Sequence, residues 1–440
     1  MKMVQSKVNS KRILGIHILL ALLSPLISLF LLLKSGNSRI IVPAGTILMM
    51  FLGSAYIYNA GSDGASHLET IERYYVNMEI WEFISVFFEL ISLNNTNAPS
   101  GISDPYLHFL GFLSGSVFGT PELLHVFAAF FYGIIYFSII RILFQRIDWP
   151  KGISLIATLF LIFLTYRGIT GLNSIRWWTA MWLLVYGLLA YWNYGKRKFL
   201  LLALLSIYIH FSFIAFVIPS FAAIWLFKKP KVIFVIWIVS FFLGASYQLI
   251  EPYVPALNVI EQKERYTLNE EEMEKTKALR ADAPKKSKRF YASLGETSFR
   301  DYSIPFMIVF LFWIRNKMGG NKSAISDQMF AAGVLLYSFG NVMEFSPSLH
   351  GRAKAGAAVL ILIAGLLSLS ELYANNIKLY KSFQARLVMS VFCLSTIPVV
   401  LFHLSYALNM LSAFTIVFPA ASWFLGGNDF SIRDLLVVVF

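Results

Sequence analysis

Residues 196–229 read KRKFLLLALLSIYIHFSFIAFVIPSFAAIWLFKK. Basic residues (Lys196, Arg197 and Lys198, then Lys228 and Lys229) close both ends of an apolar run whose middle is Ile209-His210-Phe211-Ser212. Short loops rich in Lys and Arg stay on the cytoplasmic side of a membrane. Both ends of the run therefore sit on one face, and the chain between them must leave that face and return. About thirty residues lie between the clusters, whereas two full crossings need roughly twice 20. The run predicts a short re-entrant helical hairpin over 199–227 with His210 at its apex. Non-helical backbone at such depth is tolerated only inside protein or against a watery cavity. His210 is thus expected at the inner lip of a cavity open to the far side. The plainer alternative is a core histidine satisfied by a neighbouring helix.

The same alternation runs through the chain. Of 440 residues, 57% are hydrophobic and 14% charged, and many apolar stretches reach spanning length. The expectation is an all-α polytopic membrane protein with roughly 11–14 transmembrane or re-entrant helices. A net charge of +13 could suggest nucleic acid, but the cations sit in six short loops: 34–39, 141–151, 196–198, 228–231, 315–322 and 378–386. That is positive-inside patterning, so no nucleic-acid partner is expected. The single cysteine, Cys393, can form no internal disulfide. The first apolar stretch shows no small-residue cleavage site and is expected to be retained.

With these loops cytoplasmic, residues 40–58 run outward. Residues 59–120 are external, with an amphipathic surface helix over 65–93 and a short dipping helix over 106–118. Residues 121–145 return, 152–166 go out and 172–192 come back. Residues 232–249 lead to a charged external loop, 250–302, and then 303–315, 327–343, 353–373 and 386–408 alternate.

Arg176 then falls near the external end of its helix. A cation inside a membrane segment costs about 2.5–3.5 kcal/mol near the centre, so it faces a cavity or an anionic partner unless it snorkels to water. Asp63 follows a spanning helix in a glycine-flanked turn, where a carboxylate can face a cleft; the alternative is a helix N-cap. Arg352 and Lys354 sit at the start of a late apolar helix. A helix start is already electropositive, so cations there suit an anionic ligand better than they suit the helix. Arg300 and Asp301 adjoin the helix that follows them, 303–315, and are placed to line a cavity. No phosphate-binding glycine loop, dinucleotide turn or metal-ligand spacing occurs, so neither metal nor cofactor is expected. A lipid-linked pyrophosphate would answer the arginines, since guanidinium binds phosphate oxygens through paired hydrogen bonds.

Several stretches carry a more specific resemblance. They are Gly61-Ser62-Asp63 followed by Tyr74-Tyr75; Asp104-Pro105-Tyr106-Leu107-His108 running to Phe118-Gly119-Thr120; Asn173-Ser174-Ile175-Arg176 with the later His210-Phe211-Ser212; and Arg352 heading a late helix. Together they resemble the EpsG-like, O-antigen-polymerase (Wzy-type) family of bacterial polysaccharide polymerases. Trp177 departs from the family pattern, which has glutamine after the arginine.

The resemblance implies a GT-C-like membrane glycosyltransferase in the bacterial cytoplasmic membrane, acting at the external face without a cofactor. Its partners would be undecaprenyl-pyrophosphate-linked oligosaccharide donor and acceptor, with a chain-length regulator and a flippase beside it in the bilayer. Asp63 or His210 would be the base. Arg176 and Arg352 would hold pyrophosphate, with Arg73, Arg167 and Arg300 as further candidates; Asn173, Tyr74, Tyr106 and His350 would line the substrate. An O-antigen ligase or single-sugar transferase differs only in its acceptor. A flippase for lipid-linked oligosaccharide would need a charged inward route, which the sequence lacks.

The topology is directly testable. In a Cys393→Ser background, Arg176→Cys and His210→Cys should react with a membrane-impermeant maleimide added outside. Labelling only from the cytoplasmic side would overturn the loop assignment.

Overall fold

The computed structural model describes residues 13–20, 23–35, 38–58, 62–92, 98–99, 102–149, 154–245, 291, 294–318, 323–375, 383–414 and 430–439. Most of the charged loop expected over 250–302 lies outside the described residues, as does Gly61. The regular elements described are helical, and β-pairing is limited to the isolated bridges Tyr56–Leu411 and Ser412–Ser431. Among the described residues, four helical stretches are long and apolar enough to cross a membrane: Pro121–Arg146, Leu155–Tyr194, Pro347–Ala374 and Gln384–Met410. Shorter apolar helices cover Ile41–Ser54, Lys198–Ile209, Phe213–Leu226 and Pro230–Gly244. The protein is an all-α membrane protein.

The chain divides into two compact units. The first comprises residues 1–146, 167–214 and 403–440. In it, Ile41–Ser54 packs on Leu124–Arg146, which packs on Ile175–Tyr194, which packs on Lys198–Ile209. The last contact depends on Gly187, because a Cβ there would stand 2.6 Å from the Ala203 backbone nitrogen. Without water to drive association, helices in lipid use such small residues to approach closely.

The segment expected to be external departs from a single surface helix over 65–93. It forms two helices, Asp63–Tyr74 and Ile80–Ile91. The break has a local cause. Tyr75 is fully buried, its carbonyl accepts a hydrogen bond from Ser116 Oγ, and its hydroxyl pairs with His108 Nδ1 at 2.7 Å. These contacts anchor Tyr75 to Pro105–Gly111 and to the π-helical turn Phe112–Val117 that continues it. The tertiary anchors outweigh the helical periodicity.

Residues 166–174 interrupt the apolar path between Leu155–Thr165 and Ile175–Tyr194, ending in a 3-10 segment, Ile169–Ser174. In the first unit, the buried Tyr132 hydroxyl secures the downstream part of this interruption. It lies 2.6 Å from the carbonyls of Arg167 and Gly168, and Trp182 Nε1 donates to it at 2.7 Å. Gly171 passes against the same hydroxyl, where a Cβ would come within 2.4 Å.

The second unit comprises residues 147–166 and 215–402. Its centre is the pair Ala324–Val342 and Pro347–Ala374, joined by the turn at Met343–Ser346. Pro230–Ala245 packs on the first of these helices, Leu155–Thr165 and Ile304–Met318 on the second. Arg315, 3% exposed, is held by Asp327, Ser326 and Ser368 and lies over the Phe330 ring. A buried cation persists when its partners satisfy it in this way.

Tyr132→Phe would remove the one donor that the two carbonyls share and leave the Trp182 N–H without its acceptor. Each buried group left unsatisfied costs about 1–3 kcal/mol. Thermal melting in detergent should show a clear loss of stability for this variant, whereas an unchanged melting temperature would mean that the hydroxyl does not secure the interruption.

Candidate functional site

The N-terminus of Asp63–Tyr74 is capped by Ser62, whose Oγ accepts from the Ala65 amide at 3.2 Å. Capping is thus assigned to the serine, and the Asp63 carboxylate is exposed. Its Oδ2 accepts a hydrogen bond from Ser174 Oγ at 2.9 Å, across 111 residues of sequence. Ser174 ends the 3-10 segment immediately before the helix that carries Arg176. Asn173, one residue earlier, accepts from the Tyr56 hydroxyl at 2.7 Å. The interruption between apolar helices therefore delivers Ser174 to Asp63 and Asn173 to Tyr56, with Arg176 two residues beyond Ser174.

Arg176 is half-buried and already paired. Its Nη1 lies 3.0 Å from Asp104 Oδ2 and 3.4 Å from Ser103 Oγ. Asp104 is 1% exposed and also caps Pro105–Gly111 by accepting from the Leu107 amide at 3.1 Å. Burial raises the Asp104 pKa, opposed by the Arg176 charge and the Leu107 amide. Arg176 Nε and Nη2 make no hydrogen bond within the protein among the described residues.

Arg167 belongs to the same unit. It is the one non-glycine among the described residues with positive φ, at 60°, and its guanidinium lies 5.1 Å over Trp178. Strained backbone of this kind concentrates at functional sites. Next to it Thr170 Oγ1 meets His403 Nδ1 at 3.1 Å, and Tyr406 lies within electrostatic reach of both Arg167 and Asp63. Tyr106 is partly buried beside Thr179 of the Arg176 helix. Arg73 and Tyr74 pair with each other, 5.6 Å apart, at the far end of the Asp63 helix. Ten residues of helix place them about 15 Å from Asp63 along the axis. His210 occupies the turn between Lys198–Ile209 and Phe213–Leu226, where its Nδ1 lies 2.9 Å from Ser212 Oγ and 3.3 Å from the Ser212 amide.

The remaining sequence-derived residues lie in the second unit. Arg300 donates to the Gly351 carbonyl at 3.1 Å, and its own carbonyl accepts from Tyr337. His350 Nδ1 meets the Gly340 carbonyl at 2.9 Å. Arg352 is half-buried in the second turn of Pro347–Ala374. Lys354, expected as a further cation for an anionic ligand, is instead neutralised by Asp301 at 3.1 Å. Among the described residues, no group of three or more His, Cys, Asp or Glu side chains is gathered as for a metal ion.

A family model, the EpsG family, matches residues 40–409. The chain belongs to the EpsG family. No curated protein and no solved structure matches it. Membership of the EpsG family assigns the protein a polysaccharide-biosynthesis role of glycosyltransferase type at a membrane. The matched span contains all the side chains described above.

Three residues of this EpsG-family site escaped the sequence reading. Asp104 was visible as an external acid, but its pairing with Arg176 spans 72 residues. His403 reaches Thr170 from a late helix, 233 residues away. His67 had a local signal: it stands four residues after Asp63, on the same helical face.

Arg176→Ala would leave the Asp104 carboxylate buried without its cation, a loss that costs about 3–5 kcal/mol for fully buried pairs and less here because Arg176 is partly exposed. Adding Asp104→Asn should restore much of the melting temperature in detergent. Additive losses in the double variant would show that the pair is not coupled.

Proposed function

We propose that the protein polymerises undecaprenyl-pyrophosphate-linked oligosaccharide repeats into a surface or secreted polysaccharide, acting at the external face of the bacterial cytoplasmic membrane with a GT-C-like architecture. The observation that carries this reading is the Asp63–Ser174 hydrogen bond, which sets an exposed carboxylate beside the start of the Arg176 helix. Together they offer a proton acceptor and a guanidinium in one unit, in a chain of the EpsG family.

The chemistry follows from those two groups. Asp63 removes the proton from an acceptor hydroxyl as it attacks the anomeric carbon of the donor, with inversion. The bond to the lipid pyrophosphate breaks, and negative charge grows on the departing phosphate. Arg176 meets that charge through the donors it does not spend on Asp104. Arg167 is the next cation in the same unit, while Arg352 and Arg300 are candidates in the second. Asn173 and Tyr106 line the substrate. His210 is the alternative base, and a chain-length regulator and a flippase are the expected neighbours in the membrane. The transfer needs no metal, because cations take up the leaving charge.

The test is incubation of purified protein with a synthetic lipid-pyrophosphate repeat unit. A chelator-insensitive ladder of products is expected. Asp63→Asn should slow it by about 10²–10⁴-fold, as for loss of a general base, and Arg176→Ala by about 10²–10³-fold, as for loss of a charge-stabilising donor. Full-length polymer from both variants at normal protein levels would overturn the assignment. Single transfer without extension would point to a ligase, and translocation without extension to a flippase.

A further inference from the structure

His67 lies on the Asp63 helix, one turn beyond the carboxylate, and is 8% exposed. Its ring makes no hydrogen bond among the described residues. A nearly buried imidazole normally finds a partner. The charged and titratable groups around it come from several elements. Asp63 shares its helix, Arg176 comes from Ile175–Tyr194 with Asp104 behind it, and His125 comes from Leu124–Arg146. Tyr56 and Tyr58 border His125, and Gly64 packs against Tyr56 and His125 on the inner side of the Asp63 helix. The Asp63–Ser174 hydrogen bond ties the start of the His67 helix to the start of the Arg176 helix, and Arg176 lies within electrostatic reach of His67.

We propose that His67 and Arg176 together form the seat of the donor's pyrophosphate, and that His67 takes up a proton from solvent as that anion arrives. This rests on the function proposed above and deepens it. In the free protein, burial and the Arg176 charge lower the His67 pKa from 6.5 to about 3, so the ring is neutral at physiological pH. A pyrophosphate on Arg176 reverses the local sign of charge and presents acceptor oxygens to the ring. Both changes favour the imidazolium. The bound state then holds a proton that the free state lacks, so affinity must strengthen as pH falls towards the bound-state pKa and weaken as pH rises through it. The arrangement supplies a second positive charge only when the leaving group is in place.

The experiment is calorimetric titration of the full-length protein in nanodiscs with inorganic pyrophosphate and with a short polyprenyl pyrophosphate. Each titration is run at pH 7 in buffers of different ionisation heat. Wild type should take up close to one proton more per anion than His67→Gln, which reports the ligand's own protonation. Wild-type affinity should weaken with rising pH more steeply than that of the variant, by up to tenfold per unit. A polyprenyl monophosphate should bind more weakly than the pyrophosphate. Should His67→Gln fail to fold, His67→Asn takes its place, and wild-type uptake is compared with the ligand's free titration curve. Equal proton uptake in wild type and variant, or no uptake beyond the ligand's own, overturns the proposal. That outcome with an intact product ladder leaves the polymerase reading standing. Normal proton-linked binding without chain extension sinks the polymerase reading instead.

Discussion

A hydroxyl at the centre of the first unit governs what the rest of that unit can do. When a helical path stops, its carbonyls lose their amide partners, and in an apolar surrounding each must find another donor. Tyr132 stands within hydrogen-bond distance of two of them, at Arg167 and Gly168, while Trp182 donates to it from behind. With that donor in place, the chain can leave the α-helical path, pass through the 3-10 segment Ile169–Ser174 and start a new helix at Ile175. Ser174 meets Asp63, and Asn173 meets Tyr56, from within this interruption. The strained backbone at Arg167 belongs to the same device.

Much of the helical architecture was legible in the sequence because it follows from local rules. Apolar run lengths marked the all-α membrane character, and the stretch expected as a short hairpin over 199–227 contains the helices Lys198–Ile209 and Phe213–Leu226 on either side of His210. Arg176 was conspicuous through the cost of its charge. Asp63 stood out through its turn. What local rules cannot supply is partnership across the fold. Nothing near Arg176 in the chain announces Asp104, and the periodicity of residues 65–93 gives no warning that Tyr75 is pinned by His108 and Ser116. The apparent surplus of cations at Arg352 and Lys354 was likewise a local impression, since Asp301 answers one of them.

Histidines illustrate the limit from the other side. His210 drew notice through its place in an apolar run, yet its Nδ1 is engaged with Ser212 in a local turn. His67 drew none, because it sits in a helix that reads as a plain amphipathic surface element. Its interest depends on which face packs inward and what waits there, and only tertiary structure decides both.

The Arg176–Asp104 pair bears on a problem that any arginine at a membrane edge must meet. Bilayers crowd such an arginine with phospholipid headgroups of single negative charge, at concentrations far above that of any substrate. A bare guanidinium would spend its time among them. One already matched to a buried carboxylate gains little from exchanging it for another lone charge, but a ligand bearing more charge can compete for the remaining donors. On the function proposed above, the built-in counter-ion would act as a valence filter, disfavouring the membrane's own singly charged lipids against a donor that carries more charge.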